Sequence, residues 1–107
     1  MKRGEIWLVQ LDETAGHEQQ GLRPAIILTD TPTSLALVVP LTANLKALRF
    51  HYTIQIEPTK RNGLNVDSVA LVFHLRSIDK RRLIKAIGVT EKPALQKIMG
   101  MIKQLFQ

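Results

Sequence analysis

The first half of the chain shows the apolar patterns that are typical of β-strands. Side chains alternate between two faces over Glu5–Leu11, while Pro24–Thr29 and Leu35–Val39 are short apolar runs, the second followed by Pro40, which is expected to end it. Residues 51–57 alternate most regularly and predict a half-buried antiparallel strand. Two further strands are predicted, over Ser68–Phe73 and Ala86–Val89.

The pattern changes to a helical period near the C-terminus. Apolar residues recur there at steps of three and four, at Leu95, Ile98, Met99, Ile102, Leu105 and Phe106. Thr90 is expected to cap this amphipathic helix, and Gly100 to mark close packing against the sheet. Short strands, long loops and one terminal helix predict a mainly β (α+β) fold, a small antiparallel β-barrel with a C-terminal helix. With no internal repeat or linker, residues 1–107 are expected to form a single domain.

Composition and charge exclude several kinds of protein and indicate the kind of partner. The 107 residues suffice for one core, and 15 basic against 9 acidic residues give a net charge of +6. This excess lies wholly in residues 54–107 and points towards a polyanion or an acidic protein partner. The absence of cysteine excludes disulfides and thiolate sites, and no apolar run predicts a membrane span. The start of the chain lacks a signal-peptide pattern, so the expected location is cytoplasmic.

A dense polar segment separates the first two predicted strands. It holds His17, Glu18 and Gln20, and ends at Arg23 and Pro24. The proline biases Arg23 towards extended backbone, which fixes a guanidinium at the mouth of a strand in a position suited to phosphate. The alternatives are a solvated connection in which Glu18 pairs with Arg23, and an arginine folded over the barrel rim.

Two other features have both a structural and a functional interpretation. Thr42 follows a strand, where a hydroxyl can cap a turn or hydrogen-bond a substrate phosphate. Arg76, Lys80 and Arg81 belong to a basic stretch that is either a solvated face or a contact for RNA phosphates. The three histidines lack a metal-ligand spacing, so no metal is expected.

Taken together, these segments resemble MazF/PemK (Kid) toxins. The resemblance is most specific in the first 24 residues, at Arg3–Val9, Leu11-Asp12, Thr14–Gly21 and Arg23-Pro24. It continues through Val39–Thr42, Asp67–Val69 and Arg76–Lys80, and extends over essentially the whole chain.

The resemblance implies an SH3-like barrel with added helices and a homodimer whose two protomers build an RNA-binding surface. It implies a type II toxin that cuts single-stranded RNA at short specific sequences, as an mRNA interferase, with no metal or cofactor. The expected partners are RNA, a MazE- or PemI-like antitoxin with an acidic flexible segment, and operator DNA through the toxin–antitoxin complex. No membrane partner is expected.

Site residues follow from the same resemblance. Arg23 matches the family's catalytic arginine and Thr42 its catalytic threonine, Glu18 and Gln20 fall in its active-site loop, and His17 matches a histidine of the PemK branch. Arg76 lies in its RNA-binding segment. We therefore expect Arg23, Thr42, Glu18 and His17 to be catalytic, and Gln20 and Arg76 to bind RNA. Lys80 and Arg81 are also expected to bind RNA, because they belong to the basic stretch.

The chain also departs from the family pattern. Phe73 stands where many members have an acidic residue, His74 replaces a glutamine, and Leu71 replaces the arginine that the PemK branch uses as a general acid. Two alternative functions are therefore a CcdB-like toxin that targets DNA gyrase without cutting RNA, and a member that binds antitoxin or nucleic acid without catalysis.

Overall fold

The computed structural model describes residues 1–11 and 21–107, which form an antiparallel sheet and one α-helix. The strands are β1 (Glu5–Gln10), β2 (Leu22–Asp30), β3 (Leu35–Thr42), β4 (Thr53–Ile56), β5 (Ser68–Leu71), β6 (Arg76–Asp79) and β7 (Leu83–Val89). Three short 3-10 turns cover Leu45–Arg49, Val72–His74 and Lys80–Arg82, and helix α1 spans Lys92–Leu105. The predicted mainly β fold with a C-terminal helix is confirmed. None of the helices in the described residues is long and apolar enough to cross a membrane.

Strand β3 is the centre of the sheet. The strand order is β4-β5-β3-β2-β1-β7, and β6 also pairs with β3. One edge of β3 pairs with β2, while the other edge is divided: residues 35–38 pair with β6 and residues 41–42 pair with β5. The sheet is strongly branched at this point and is not a closed barrel, which corrects the barrel expected from the sequence.

The divided edge explains why Pro40 does not end the strand. Neither β5 nor β6 places a residue in register with Val39 or Pro40, so the ladder is already interrupted where the proline lacks its N–H. The prediction that Pro40 stops β3 is therefore wrong. The strand predicted over Ser68–Phe73 likewise ends at Leu71, because the chain turns there to leave β5 and enter β6.

The two faces of the sheet bury separate apolar clusters. Ile26 lies in the cluster beneath α1, whereas its neighbours Ala25 and Ile27 lie in the other cluster, as strand alternation requires. The first cluster contains the fully buried Ile98 of α1 and the half-buried Leu95 and its helical neighbours. The predicted amphipathic helix is thus confirmed, and its apolar stripe closes the larger core.

Two expectations about α1 are wrong. The N-cap residue is Glu91, whose side chain forms no capping hydrogen bond. Thr90 is buried with no hydrogen-bond partner for its hydroxyl among the described residues. A Cβ built on Gly100 would meet nothing within 4 Å, so this glycine does not mark close packing. It lies on the exposed side of the helix.

A buried asparagine fastens the loop before β5 to the start of α1. Asn62 is fully buried; its Oδ1 accepts from the N–H groups of Thr59 and Leu64, and its Nδ2 donates to the Glu57 carbonyl and to Glu91 Oε1. The next residue is a glycine with φ of +72°. A Cβ on Gly88 would lie 2.3 Å from the Asn62 carbonyl group, so the loop and β7 touch backbone to backbone.

Candidate functional site

A cleft of about 330 Å³ opens where several strands end. The strands contributing to it are the end of β1, the start of β2, the end of β3, the end of β5 and the start of β6. Its lining residues are Leu11, Arg23, Pro40, Leu41, Thr42, Leu71, His74 and Arg76. The cleft therefore brings together Arg23, Thr42 and Arg76, which are distant in the sequence.

Strand register accounts for the meeting of Arg23 and Thr42. Strands β2 and β3 pair antiparallel with Ala25 opposite Pro40 and Ile26 opposite Val39. Continuing this register by two residues sets Arg23 opposite Thr42, on the same face as Ala25 and Pro40. The guanidinium and the hydroxyl thus approach one cleft from neighbouring strands, and rigid sheet backbone holds both.

The hydroxyl of Thr42 is oriented by its own turn. It accepts a hydrogen bond from the Asn44 N–H at 3.2 Å, and the Asn44 side chain in turn accepts from the Lys46 N–H at 3.1 Å. A hydroxyl carries one donor and two acceptor lone pairs. Because the Asn44 contact uses an acceptor position, the hydroxyl proton can be donated to a ligand in the cleft. Both interpretations of Thr42, turn cap and ligand contact, are therefore compatible.

The described lining of the cleft carries positive charge. Arg23 and Arg76 line it, and no carboxylate does so among the residues that the structure describes. Within residues 1–11 and 21–107, neither guanidinium forms an ion pair. Unneutralised guanidiniums with five fixed N–H donors suit bidentate contact with a phosphate. The arrangement can bind an anion and stabilise negative charge that develops on it.

Lys80 and Arg81 lie elsewhere. Lys80 Nζ lies 2.6 Å from Asp30 Oδ1 and donates to the Thr31 carbonyl, and its backbone N–H bonds Ser34. That is beyond the start of β3, seven residues and therefore about 23 Å along the strand from Thr42. The structure does not bring Lys80 into the cleft.

Both basic residues are already paired with carboxylates. The Lys80 ammonium lowers the pKa of Asp30, chiefly through its hydrogen bond. Arg81 forms a two-pronged contact with Asp79 at 3.1 and 3.0 Å, which lowers the pKa of Asp79 and raises that of Arg81. Exposed pairs of this kind add little stability, and they also leave little free charge for a distant phosphate.

The other predicted site residues, His17, Glu18 and Gln20, lie outside the described residues. Sequence reasoning overlooked two contributions that the structure places at the cleft. His74 lines it, although the sequence marked it only as a departure from the family pattern. Arg82 Nη1 donates to the Gln10 and Leu11 carbonyls at 3.2 and 3.1 Å, which ties the end of β1 at the cleft wall. The run of basic residues in the sequence does not indicate that Arg82 hydrogen-bonds a backbone carbonyl 72 residues earlier in the chain.

Comparison with known proteins identifies the chain's relatives. Residues 2–106 match the profile of a family described as PemK-like, MazF-like toxins of type II toxin–antitoxin systems. The chain is 60% identical over 111 residues to endoribonuclease PemK of Escherichia coli, covering 98% of this chain and 81% of the relative. It is 31% identical over 104 residues to endoribonuclease EndoA of Bacillus subtilis, covering 92% and 87%.

Solved structures show the same architecture. MazF from Deinococcus radiodurans superimposes with a TM-score of 0.77 at 27% identity, covering 99% of this chain and 96% of that one. MazF in a MazE–MazF complex from the same organism gives 0.73 at 22% identity, covering 99% and 94%. The fold described above is therefore shared with these proteins over nearly the full length of both chains.

Proposed function

The chain belongs to the family of PemK-like, MazF-like toxins of type II toxin–antitoxin systems, and we propose that it cuts single-stranded RNA at short specific sequences without a metal ion. Endoribonuclease activity is supported by the relatives in Escherichia coli and Bacillus subtilis, both named as endoribonucleases. The observation that carries the finer proposal is the cleft in which Arg23 and Thr42 face each other from adjacent strands.

The reaction needs only groups of RNA and protein. The 2′-oxygen of one nucleotide attacks the adjacent phosphorus, the bond from phosphorus to the 5′-oxygen breaks, and a 2′,3′-cyclic phosphate and a free 5′-hydroxyl result. A base accepts the 2′-proton, and an acid returns a proton to the leaving 5′-oxygen. DNA lacks the attacking hydroxyl and is therefore not a substrate.

Arg23 and Thr42 bind the phosphate that reacts. The guanidinium of Arg23 stabilises the extra negative charge that builds on the phosphoryl oxygens as the 2′-oxygen adds. Thr42 donates its hydroxyl proton to one of these oxygens, while its lone pair stays bonded to Asn44. Arg76 lies at the same cleft and binds a phosphate of the same RNA strand.

Proton transfer needs a base and an acid near the phosphate. His17 and Glu18, which immediately precede the β2 side of the cleft in sequence, are the candidates for the base. For the acid, the candidate is His74, whose imidazole side chain lines the cleft in the described part of the chain and can carry a transferable proton. In this proposal His74 replaces the arginine that the PemK branch uses as a general acid, at the position of Leu71.

The same charge distribution suits an antitoxin. The family description places these toxins in toxin–antitoxin pairs. An acidic, flexible segment of a MazE- or PemI-like antitoxin would neutralise Arg23 and Arg76 and exclude RNA by occupying the cleft. We further propose that the toxin is a homodimer and that its complex with the antitoxin binds operator DNA.

One assay tests the activity and its metal independence. Purified protein is mixed with single-stranded RNA of mixed sequence in EDTA, and the product ends are mapped by sequencing. Wild-type protein is expected to cut at one short sequence and to leave cyclic phosphate ends, and Arg23→Ala to lose more than about 100-fold in rate. Cutting by Arg23→Ala at the wild-type rate contradicts the site, and loss of wild-type cutting in EDTA contradicts the metal-free reaction.

A second assay separates the ribonuclease from a gyrase poison. DNA gyrase is assayed for supercoiling with and without the protein. Unchanged supercoiling, together with RNA cleavage, supports the proposal. Inhibited supercoiling without RNA cleavage supports the CcdB-like alternative instead.

A further inference from the structure

Two exposed phenylalanines meet beside the cleft. The rings of Phe50 and Phe73 lie 6.1 Å apart between centroids, and the Phe73 ring lies 4.3 Å from that of His74. The guanidinium of Arg49 lies 4.8 Å from the centre of the Phe50 ring. We call Arg49, Phe50, Phe73 and His74 the aromatic patch. Arg49 ends one 3-10 turn and Phe50 follows it, while Phe73 and His74 belong to another turn more than 20 residues later in the sequence.

Core packing does not account for these rings. Phe50 is 48% exposed and Phe73 38% exposed, and neither ring is among the residues of the buried apolar clusters. Exposed aromatic rings that touch each other are costly to leave in water, and they often mark a binding surface. The patch is therefore a feature that stability alone does not explain.

The backbone holds the patch in place. The Phe50 carbonyl accepts from the Thr53 hydroxyl at 2.9 Å, which closes the turn before β4. The Val72 N–H donates to the Tyr52 carbonyl at 3.0 Å, so the two turns are bonded to each other. Tyr52 has φ of +62°, a left-handed conformation that a bulky residue seldom adopts. The strained residue thus lies at the junction that sets Phe50 and Phe73 side by side.

The patch is continuous with the cleft. His74 belongs to both, since it contacts the Phe73 ring and lines the cleft with Thr42 and Arg23. Arg49 adds a cationic group to the patch, and Arg76 lines the adjoining cleft together with His74. A surface that alternates aromatic faces with guanidiniums, next to a phosphate site, has the chemistry that binds single-stranded nucleic acid.

We propose that the aromatic patch stacks an unpaired base of the RNA whose phosphate occupies the cleft. The proposal rests on the function proposed above and adds a binding subsite to it. The base next to the scissile phosphate leaves the strand's own stack and lies against Phe50 or Phe73, while Arg49 and Arg76 face the backbone. Stacking of one base on an aromatic side chain contributes enough to alter affinity about 5- to 100-fold.

A second copy of the chain is the competing occupant. A symmetric dimer through this patch would place the Arg49 guanidiniums of both copies within one interface, because a twofold interface uses the same surface on both sides. Like charges oppose that contact, whereas a polyanion neutralises them. Charge complementarity therefore favours RNA.

The test measures binding and cleavage separately. The test variants are Phe50→Leu, Phe73→Leu and the double variant, which keep an apolar side chain but lose the aromatic ring. The matched control is Phe106→Leu, since Phe106 is 79% exposed near the C-terminus. Affinity is measured by fluorescence anisotropy with an uncleavable single-stranded oligonucleotide, 2′-O-methylated throughout, that contains the mapped cleavage sequence. Cleavage of the unmodified RNA gives kcat and KM, and sedimentation gives the oligomeric state.

We expect the double variant to bind the oligonucleotide about 5- to 100-fold more weakly and to raise KM with kcat much less changed. An oligonucleotide that lacks the base at the stacked position should bind the wild type more weakly by a similar factor. The affinity of the double variant should hardly change when this base is removed. Phe106→Leu should match the wild type. If the wild type cuts RNA and the double variant has unchanged affinity and KM, the subsite is wrong. Weaker self-association of the double variant, with normal RNA affinity, overturns it in favour of a contact between copies. Failure of the wild type to cut any RNA refutes the proposed function instead.

Discussion

Replacing Thr42 by valine separates the two hydrogen bonds that the hydroxyl can form. Valine keeps the branched shape of the side chain and removes its oxygen. One bond, accepted from the Asn44 N–H, lies in an exposed turn. The other is the bond that we propose from the hydroxyl to the reacting phosphate. The two losses act on different observables, since one affects folding and the other affects catalysis.

Their magnitudes differ enough to be resolved. The Asn44 N–H can bond water once the hydroxyl is gone, so unfolding should become easier by about 0.5–1 kcal/mol, a fall of roughly 5 °C or less in Tm. A hydrogen bond to a charged phosphate oxygen contributes about 1.5–3 kcal/mol, which corresponds to about a 10- to 150-fold fall in kcat/KM. Activity should therefore fall far more than stability.

The assay is cleavage of a fluorogenic RNA containing the mapped sequence, run beside thermal unfolding. Thr42→Ser keeps the hydroxyl and should retain most of the activity. Thr33→Val is the matched control: the Thr33 hydroxyl accepts from the Leu35 N–H in the same way, two residues on, but near the opposite end of β3. Wild-type kcat/KM in Thr42→Val, or an equal loss in Thr33→Val, would refute the assignment.

Further predictions concern the framework around the site. Gly88→Ala should destabilise the protein by about 1–3 kcal/mol, because the added Cβ would clash with the Asn62 backbone. Gly100→Ala should stabilise it by about 0.5–1 kcal/mol, because this helical position has open space around it. Chemical denaturation of both variants measures the two changes in the free energy of unfolding. Asn62→Ala removes four hydrogen bonds of a buried side chain and should cost about 2–6 kcal/mol in the same assay. The Thr59 hydroxyl lowers the pKa of Glu91 below its ordinary 4.5, so the carboxylate stabilises the fold above that pH and this contribution is lost as pH falls. Between about pH 5 and pH 3, the Tm of Glu91→Gln should therefore fall less steeply than that of the wild type.

The fold was predictable where local pattern and pairing agree. Alternation located β1 and β4, and the change of period located α1, because buried faces require those repeats. The prediction at Pro40 was wrong because the sequence does not show that β3 pairs with two separate strands on one edge. In that arrangement no strand on this edge requires an N–H at position 40. Strand β6 was missed because its residues are mostly charged or exposed, and a strand held by one edge needs few apolar side chains.

The candidate site was predictable only in part. Arg23 and Thr42 came from family resemblance, and the β2–β3 register supplies the physical reason that they meet. Lys80 and Arg81 were predicted from the charge run alone, but charge runs do not reveal which members pair with Asp30 and Asp79. Phe50 and Phe73 looked unrelated in sequence because a long-range contact between two turns leaves no local periodicity.

The edge of β3 that pairs with both β5 and β6 has a gap at Val39 and Pro40, and the chain beside this gap contributes residues to the site but few contacts to the sheet. Residues 72–75 connect β5 to β6 and do not pair with β3. Of these four residues, Val72 is fully buried in the core, so neither strand pairing nor deep burial restricts most of the other side chains. Substitutions at Phe73 can therefore change the base stacking that we propose while leaving the scaffold intact. Position 73 is therefore the natural place to vary the sequence when a variant with a different RNA target is sought.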